Sequence, residues 1–334
     1  MKKKKGTILA MSCTLLLAIA FALVPINSIA ATTYLAPGYQ AEDFLTLPFA
    51  TAAIAFDSDD NLYTSDLLED WGSGTINIWK FEEPEYINIL PHQSYYTEAV
   101  GLNGLAFDDY GTLFASEHCT PYDPGLIRNL DTGETVEFES FRPTGITAAG
   151  FGTIYFPGRK WTDPDFGKIY KIDPFPGDEE IVREGVVGTA IAIDDSGNFF
   201  VGSRSPDNSI YTRNPYTGVL LKIASFDQYV EELAFCSEGN LYALEASGSY
   251  PSSIIKLIPP HVVIDGCDTG IVEWVLDDGD TITDKIEDCA ATARNHGKFV
   301  SCVAKLTNKL RKAGIIMGKE KGAIQRCAAQ ADLP

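Results

Sequence analysis

A β-propeller of five blades, or six, followed by a small α-helical module is the all-β fold this sequence predicts. Three observations predict it. An apolar run, a turn and a second apolar run recur five times, at Ile54–Tyr63, Leu105–Phe114, Ile146–Tyr155, Ile191–Phe200 and Leu233–Tyr242. Anchored on Leu62, Leu113, Ile154, Phe199 and Leu241, the copies lie 51, 41, 45 and 42 residues apart, a spacing that means one four-stranded blade per repeat. Two registers are shared: glycine at 111, 152, 197 and 239, where a tight turn demands positive φ, and an aromatic at Tyr63, Phe114, Tyr155, Phe200 and Tyr242. In the first copy Asp60-Asn61 takes the glycine's place, and asparagine tolerates the same conformation. The aromatics suit packing between neighbouring blades.

The chain opens with four lysines and an apolar run from Ile8 to Val24, and Ser28-Ile29-Ala30 supplies small residues for cleavage. Residues 1–30 therefore read as a secretory signal peptide, with a retained anchor as the competing reading. Residues 31–276 read as the propeller and 277–334 as the helical module. Tyr34–Leu47 holds one or two strands that can close the ring by pairing with the last blade. Alternatively, that piece and His261–Leu276 make a sixth blade. In the second unit the strands are Gly104–Phe107, Thr112–Ser116, Gly125–Asp131 and Thr135–Phe141. Gly167–Asp173 with Glu179–Arg183, and Ser209–Arg213 with Val219–Ala224, repeat the outer pair. After the acidic turn Asp277-Asp-Gly-Asp280, Thr281 or Thr283 caps a first helix through Ile286 and Cys289. A second helix runs from about Phe299 to Lys312 on the stripe Val300, Val303, Ala304, Leu306 and Leu310, and Gly314 ends it. Lys319–Ala329 makes a third.

The whole chain carries 26 basic and 46 acidic residues. Loss of the signal removes four lysines and no acid, so the mature chain stands at −24. From Lys285 onward ten basic and four acidic residues give +6, which leaves −30 on residues 31–284. Such a body repels nucleic acid and anionic membranes. It attracts cations, and the positive module can rest on it. The expected location is extracellular or periplasmic, with no membrane contact after cleavage.

Six cysteines follow the signal: 119, 236, 267, 289, 302 and 327. Export permits disulfides, and no C-x-x-C spacing suggests zinc. Cys236 reads as core or as a disulfide half. In an antiparallel helical hairpin, residues facing each other are equidistant from the turn. Cys302 and Cys327 are equidistant from the 313–318 connection, which pairs them and leaves Cys267 for Cys289. Cys289–Cys302 is the rival if the chain folds back at Asn295-His-Gly297.

The phrase apolar-Asp-x-x-Gly-Asn-Leu-Tyr resembles the NHL, streptogramin-lyase and gluconolactonase group of propellers over residues 33–260. The stretches Asn295–Ala304 and Lys319–Gln325 look like a helical module appended to secreted proteins of environmental microbes. Asp278-Gly-Asp280-Thr-Ile-Thr-Asp284 is similar to one thrombospondin type-3 calcium repeat, which makes Asp278, Asp280 and Asp284 candidate ligands.

Four residues past each anchor, at the channel mouth, stand Asp66, Glu117, Gly158, Ser203 and Glu245. Three carboxylates at one register, with Asn103 and Glu232 beside strand one of their blades, form an oxygen set that suits calcium. The gluconolactonase resemblance implies a divalent ion that polarises a lactone carbonyl, although Gly158 and Ser203 interrupt the ring. The streptogramin-lyase resemblance implies a loop histidine as general acid or base, and His118 is the histidine at that mouth. His296 reads as a helix-cap residue. Trp71, and Trp161 with Arg159, put aromatic faces beside charged groups on long loops, as a glycan or peptide site needs. Two functions follow. One is a secreted binding or surface-interaction protein for a small molecule, glycan or protein. The other is a calcium-dependent hydrolase or lyase acting on a small ester or lactone.

Overall fold

The computed structural model describes residues 32–47, 50–65, 75–82, 85–93, 101–118, 125–138, 142–159, 168–184, 188–203, 207–246 and 252–332. The signal segment, Asp66, Trp71, Cys119 and Trp161 lie outside the described residues.

Two strands, β1 (Thr32–Leu35) and β2 (Gln40–Leu47), precede the blades. Blade one is β3 (Ile54–Phe56), β4 (Leu62–Ser65), β5 (Thr75–Glu82) and β6 (Glu85–Gln93). Blade two is β7 (Gly101–Phe107), β8 (Leu113–His118), β9 (Gly125–Asn129) and β10 (Thr135–Phe138). In blade three, β11 (Arg142–Pro143) and β12 (Thr147–Ala149) both pair with β13 (Thr153–Arg159), followed by β14 (Lys168–Ile172) and β15 (Glu179–Glu184). Blade four is β16 (Ala190–Ile193), β17 (Phe199–Gly202), β18 (Ser209–Arg213) and β19 (Leu220–Phe226). Blade five is β20 (Tyr229–Phe235), β21 (Leu241–Ala246) and β22 (Ser252–Ile258), and β2 adds its outermost strand. β1 extends blade four in the same way. The N-terminal segment thus ties blades four and five, and the innermost strands close into a ring. That pairing covers edges that would otherwise template aggregation.

The blade count is therefore five. His261–Leu276 does not build a sixth. It forms a separate hairpin, β23 (His261–Ile264) and β24 (Cys267–Val272). Val262, Ile264 and Ile271 share an apolar core with the helices α1 (Ile282–Thr292), α2 (His296–Lys312) and α3 (Gly318–Gln330). The hairpin thus packs on the helices, while Val272 and Trp274 pack against the core between blades four and five. Thr281 caps α1 in a capping box with Asp284.

Three of the five turns owe their shape to the aspartate that opens them. Asp57, Asp108 and Asp194 each accept backbone N–H bonds from the residues two and four further on, at 2.8–3.0 Å. The repeated acid is thus a turn-former. Glycine carries the left-handed residue at 111, 152, 197 and 239. In blade one Asp60 does so at φ 62°, and not Asn61. Cys236 stands where three other copies have aspartate and the third copy has Ala149, and it is free and buried. It is not a disulfide half: the other four described cysteines pair with one another.

The shared aromatics bridge the blades all the way round. Tyr63 meets Phe107 at 4.8 Å, Phe114 meets Phe175 at 5.3 Å and Tyr155 meets Phe199 at 5.3 Å between ring centroids. Phe200 meets Phe235 at 5.2 Å, and Tyr242 closes the circle on Phe56 at 4.5 Å. Each pair adds about 0.5–1.5 kcal/mol beyond the area it buries. One hydrophobic cluster fills each gap between blades.

The disulfides differ from the predicted pairing. They are Cys267–Cys327 and Cys289–Cys302. The equidistance rule holds, but at the other turn. Asn295 caps α2 and breaks the helical run after Ala293, so α1 and α2 form the hairpin that Cys289 and Cys302 face across. Cys327 is then free to bind β24, on which α3 packs.

Candidate functional site

The axis belongs to Glu232. It extends from the innermost strand of blade five and is fully buried. The Leu233 N–H donates to Oε1 at 3.2 Å. The N–H groups of Ile146 and Ile191, from blades three and four, are also directed at the carboxyl, while Oε2 has no hydrogen bond of regular geometry. Blade two approaches as closely: a Cβ on Gly104 would lie 2.7 Å from Oε2 and 2.6 Å from the Ile146 nitrogen. One side chain thereby meets backbone from four blades, at the centre that the innermost strands surround. Burial pushes Glu232 well above the usual carboxylate range. Burial of this kind favours the neutral, protonated form of the carboxyl.

At the face where the second strands end, Glu117 and Glu245 occupy one register, as expected, but serve different partners. Glu117 is fully buried and its Oε1 lies 3.7 Å from Arg128 Nε on the next strand. Glu245 is 2 % exposed. Its Oε1 accepts the Gln228 N–H at 2.7 Å, and its Oε2 is buried without a partner. Asn103 is half-buried on β7. His118 and Arg159 end β8 and β13. Among the described residues no three acidic, histidine or cysteine side chains gather as a metal group.

Burial, with the nearby Asp227 and Asp43 charges, pushes the Glu245 carboxyl from 4.5 up to about 7. The native state then holds a proton that the unfolded chain has released, so stability falls as pH rises from about 4.5 through 7. Each unit is worth about 1.4 kcal/mol. After allowance for screening at the channel mouth, raising the pH from 5 to 8 should cost wild type roughly 2 kcal/mol more than Glu245→Gln. Urea unfolding of both proteins at the two pH values checks this, and parallel pH curves would reject it.

In the tail, the candidate calcium ligands are already engaged. Lys285 Nζ lies 2.6 Å from Asp278 and 3.0 Å from Asp280, and holds Asp278 below the usual carboxylate range. Asp284 accepts the Thr281 N–H at 2.7 Å. An ammonium and a helix cap account for all three. His296 opens α2, where Asn295 provides the cap.

On the opposite face, where the five turns lie, a cavity of about 370 Å³ separates blades four and five from the tail. Tyr39, Tyr216 and Trp274 line it with Phe200 and Phe235, and Asp194, Asp195, Glu238 and Glu320 add carboxylates. Tyr216 donates to the Ile315 carbonyl at 2.6 Å, which anchors the tail to the blade-four turn. The Tyr39 hydroxyl is buried and has no partner. Sequence reasoning missed this site because its walls come from segments as far apart as 39 and 320. The one local hint was an aromatic in the turn Asn214-Pro-Tyr-Thr-Gly218.

No protein-family model matches the chain. No curated protein matches it either. Solved structures similar to it include a protein of unknown function from Bacteroides thetaiotaomicron, at 16 % identity over 63 % of this chain, with a TM-score of 0.43. The chain spans 59 % of that protein's length. A putative gluconolactonase is similar at 14 % identity, covering 68 % of this chain and 83 % of its own, with a TM-score of 0.41. A gluconolactonase from Xanthomonas campestris is similar at 12 % identity, covering 66 % and 89 %, also at 0.41. At such identities no activity passes to this chain, and the propeller rests on its own strand pairing.

Proposed function

We propose that this chain is a secreted binding protein whose propeller and tail together hold a small ligand. The observation that carries this reading is the cavity between them. Its volume falls in the range of small-molecule sites, about 300–1,000 Å³, and it has the aromatic walls and few converging polar groups that such sites use. Two disulfides in the tail support export, since such bridges persist in oxidising compartments. A screen of small cationic, anionic and neutral compounds against the mature protein tests the reading. With fluorotryptophan incorporated, the Trp274 resonance (assigned by Trp274→Phe) is expected to shift saturably with one class. No shift with any class would reject it.

A second reading, a hydrolase or lyase of a small ester or lactone, is favoured by Glu245. A buried carboxyl that titrates near neutrality and has an unpartnered oxygen has the properties of a general acid or base. Turnover of a lactone panel that is lost in Glu245→Gln would favour this reading.

A further inference from the structure

We propose that the cavity between the turn face and the tail takes a small organic cation, an alkylammonium compound of about the size of choline. This inference rests on the binding reading above and narrows its ligand. The lining supplies four carboxylates, those of Asp194, Asp195, Glu238 and Glu320, and no lysine or arginine. Anions are therefore repelled. Five aromatic side chains share the rest of the wall with aliphatic and small polar residues, and the one histidine, His261, faces Asp268 at 2.9 Å; Trp and Tyr faces attract cations through their quadrupole, most strongly where water is displaced. Trp274 lines the cavity and is 7 % exposed, held in place by the core between blades four and five.

Two further observations bear on this cavity. Tyr39 is one of its lining residues, and its hydroxyl is buried without a hydrogen-bond partner. Burial first, and then the Glu320 and Asp194 charges, push the Tyr216 hydroxyl up to about 12. The share owed to the two carboxylates is the part that favours an ammonium. Two of the carboxylates hold their places without a ligand. Asp194 is fixed by its own turn, and Glu320 accepts the Met317 N–H at 2.5 Å as the helix cap.

The test uses the full mature chain and two probes of equal shape, choline and its neutral carbon isostere 3,3-dimethylbutan-1-ol. Binding is followed by calorimetry and by the Trp274 fluorine resonance. Choline is expected to bind at least tenfold more tightly than the isostere. Glu238→Gln/Glu320→Gln should weaken choline about tenfold and leave the isostere unchanged, and glutamine at 320 can still cap α3. Equal affinity for the two probes would overturn the cation assignment while leaving a ligand site in place. No Trp274 shift with either probe at 10 mM, together with none across the wider screen, would overturn the site as well.

Discussion

Glu232→Ala is expected to destabilise the propeller by roughly 3 kcal/mol, while Glu232→Gln should change it by less than about 1 kcal/mol. The alanine variant empties the axis and leaves the Leu233, Ile146 and Ile191 N–H groups facing a void. A buried donor left unsatisfied costs about 1–3 kcal/mol, and the cavity adds to that. Glutamine keeps the volume and one carbonyl acceptor, and it is neutral, as the protonated acid is. The pair also reads out the charge state. Glu232 is held well above 4.5 by burial, so the native state retains a proton that the unfolded chain loses. Wild type should lose stability relative to Glu232→Gln as pH rises above about 4.5. Urea unfolding at pH 5 and pH 8 measures both effects. Equal losses for alanine and glutamine would show that the axis does not depend on this side chain.

The ring itself was legible in the sequence because propeller repeats are local. One hairpin, one turn residue and one bridging aromatic fall within each short phrase, so register exposes them. Tyr63, Phe114, Tyr155, Phe200 and Tyr242 all bridge to the next blade for that reason. The repeated aspartates Asp57, Asp108 and Asp194 shape turns, while Glu232, expected as a metal ligand, is fully buried among backbone N–H groups. Residue type and register do not say whether a carboxyl meets water, a backbone amide or an arginine. That depends on the strands that ring closure brings from elsewhere. The cavity was illegible for the same reason, since Tyr39 reaches it only because β2 completes the last blade. The disulfide pairing turned on which of two turns breaks the helices, and Asn295 was the decisive residue.

Loss of the Cys267–Cys327 bridge should unfold the tail while the propeller survives. The bridge closes 60 residues of chain, which corresponds to about 4 kcal/mol in the chain-entropy treatment. The Cys289–Cys302 bridge closes 13 residues, which corresponds to about 3 kcal/mol. The longer bridge does more than its entropy implies, because it joins α3 to β24 and so holds the helices on the hairpin. The tail core contains Val262, Ile264, Ile286, Phe299, Val303 and Ile324 and is distinct from the clusters between blades. A module this small depends on its staples. Cys267→Ser/Cys327→Ser should therefore melt in two steps, with helical circular dichroism lost first and the blades later. Cys289→Ser/Cys302→Ser should keep α3 docked and lose less. The same experiment bears on the binding site, since Tyr216, Ile315 and Glu320 meet only while the tail is seated. The first variant should lose choline binding at temperatures where its propeller remains folded. A single cooperative transition in that variant would mean that tail and propeller fold as one unit. Non-reducing peptide maps linking Cys302 to Cys327 would instead restore the hairpin pairing of α2 with α3.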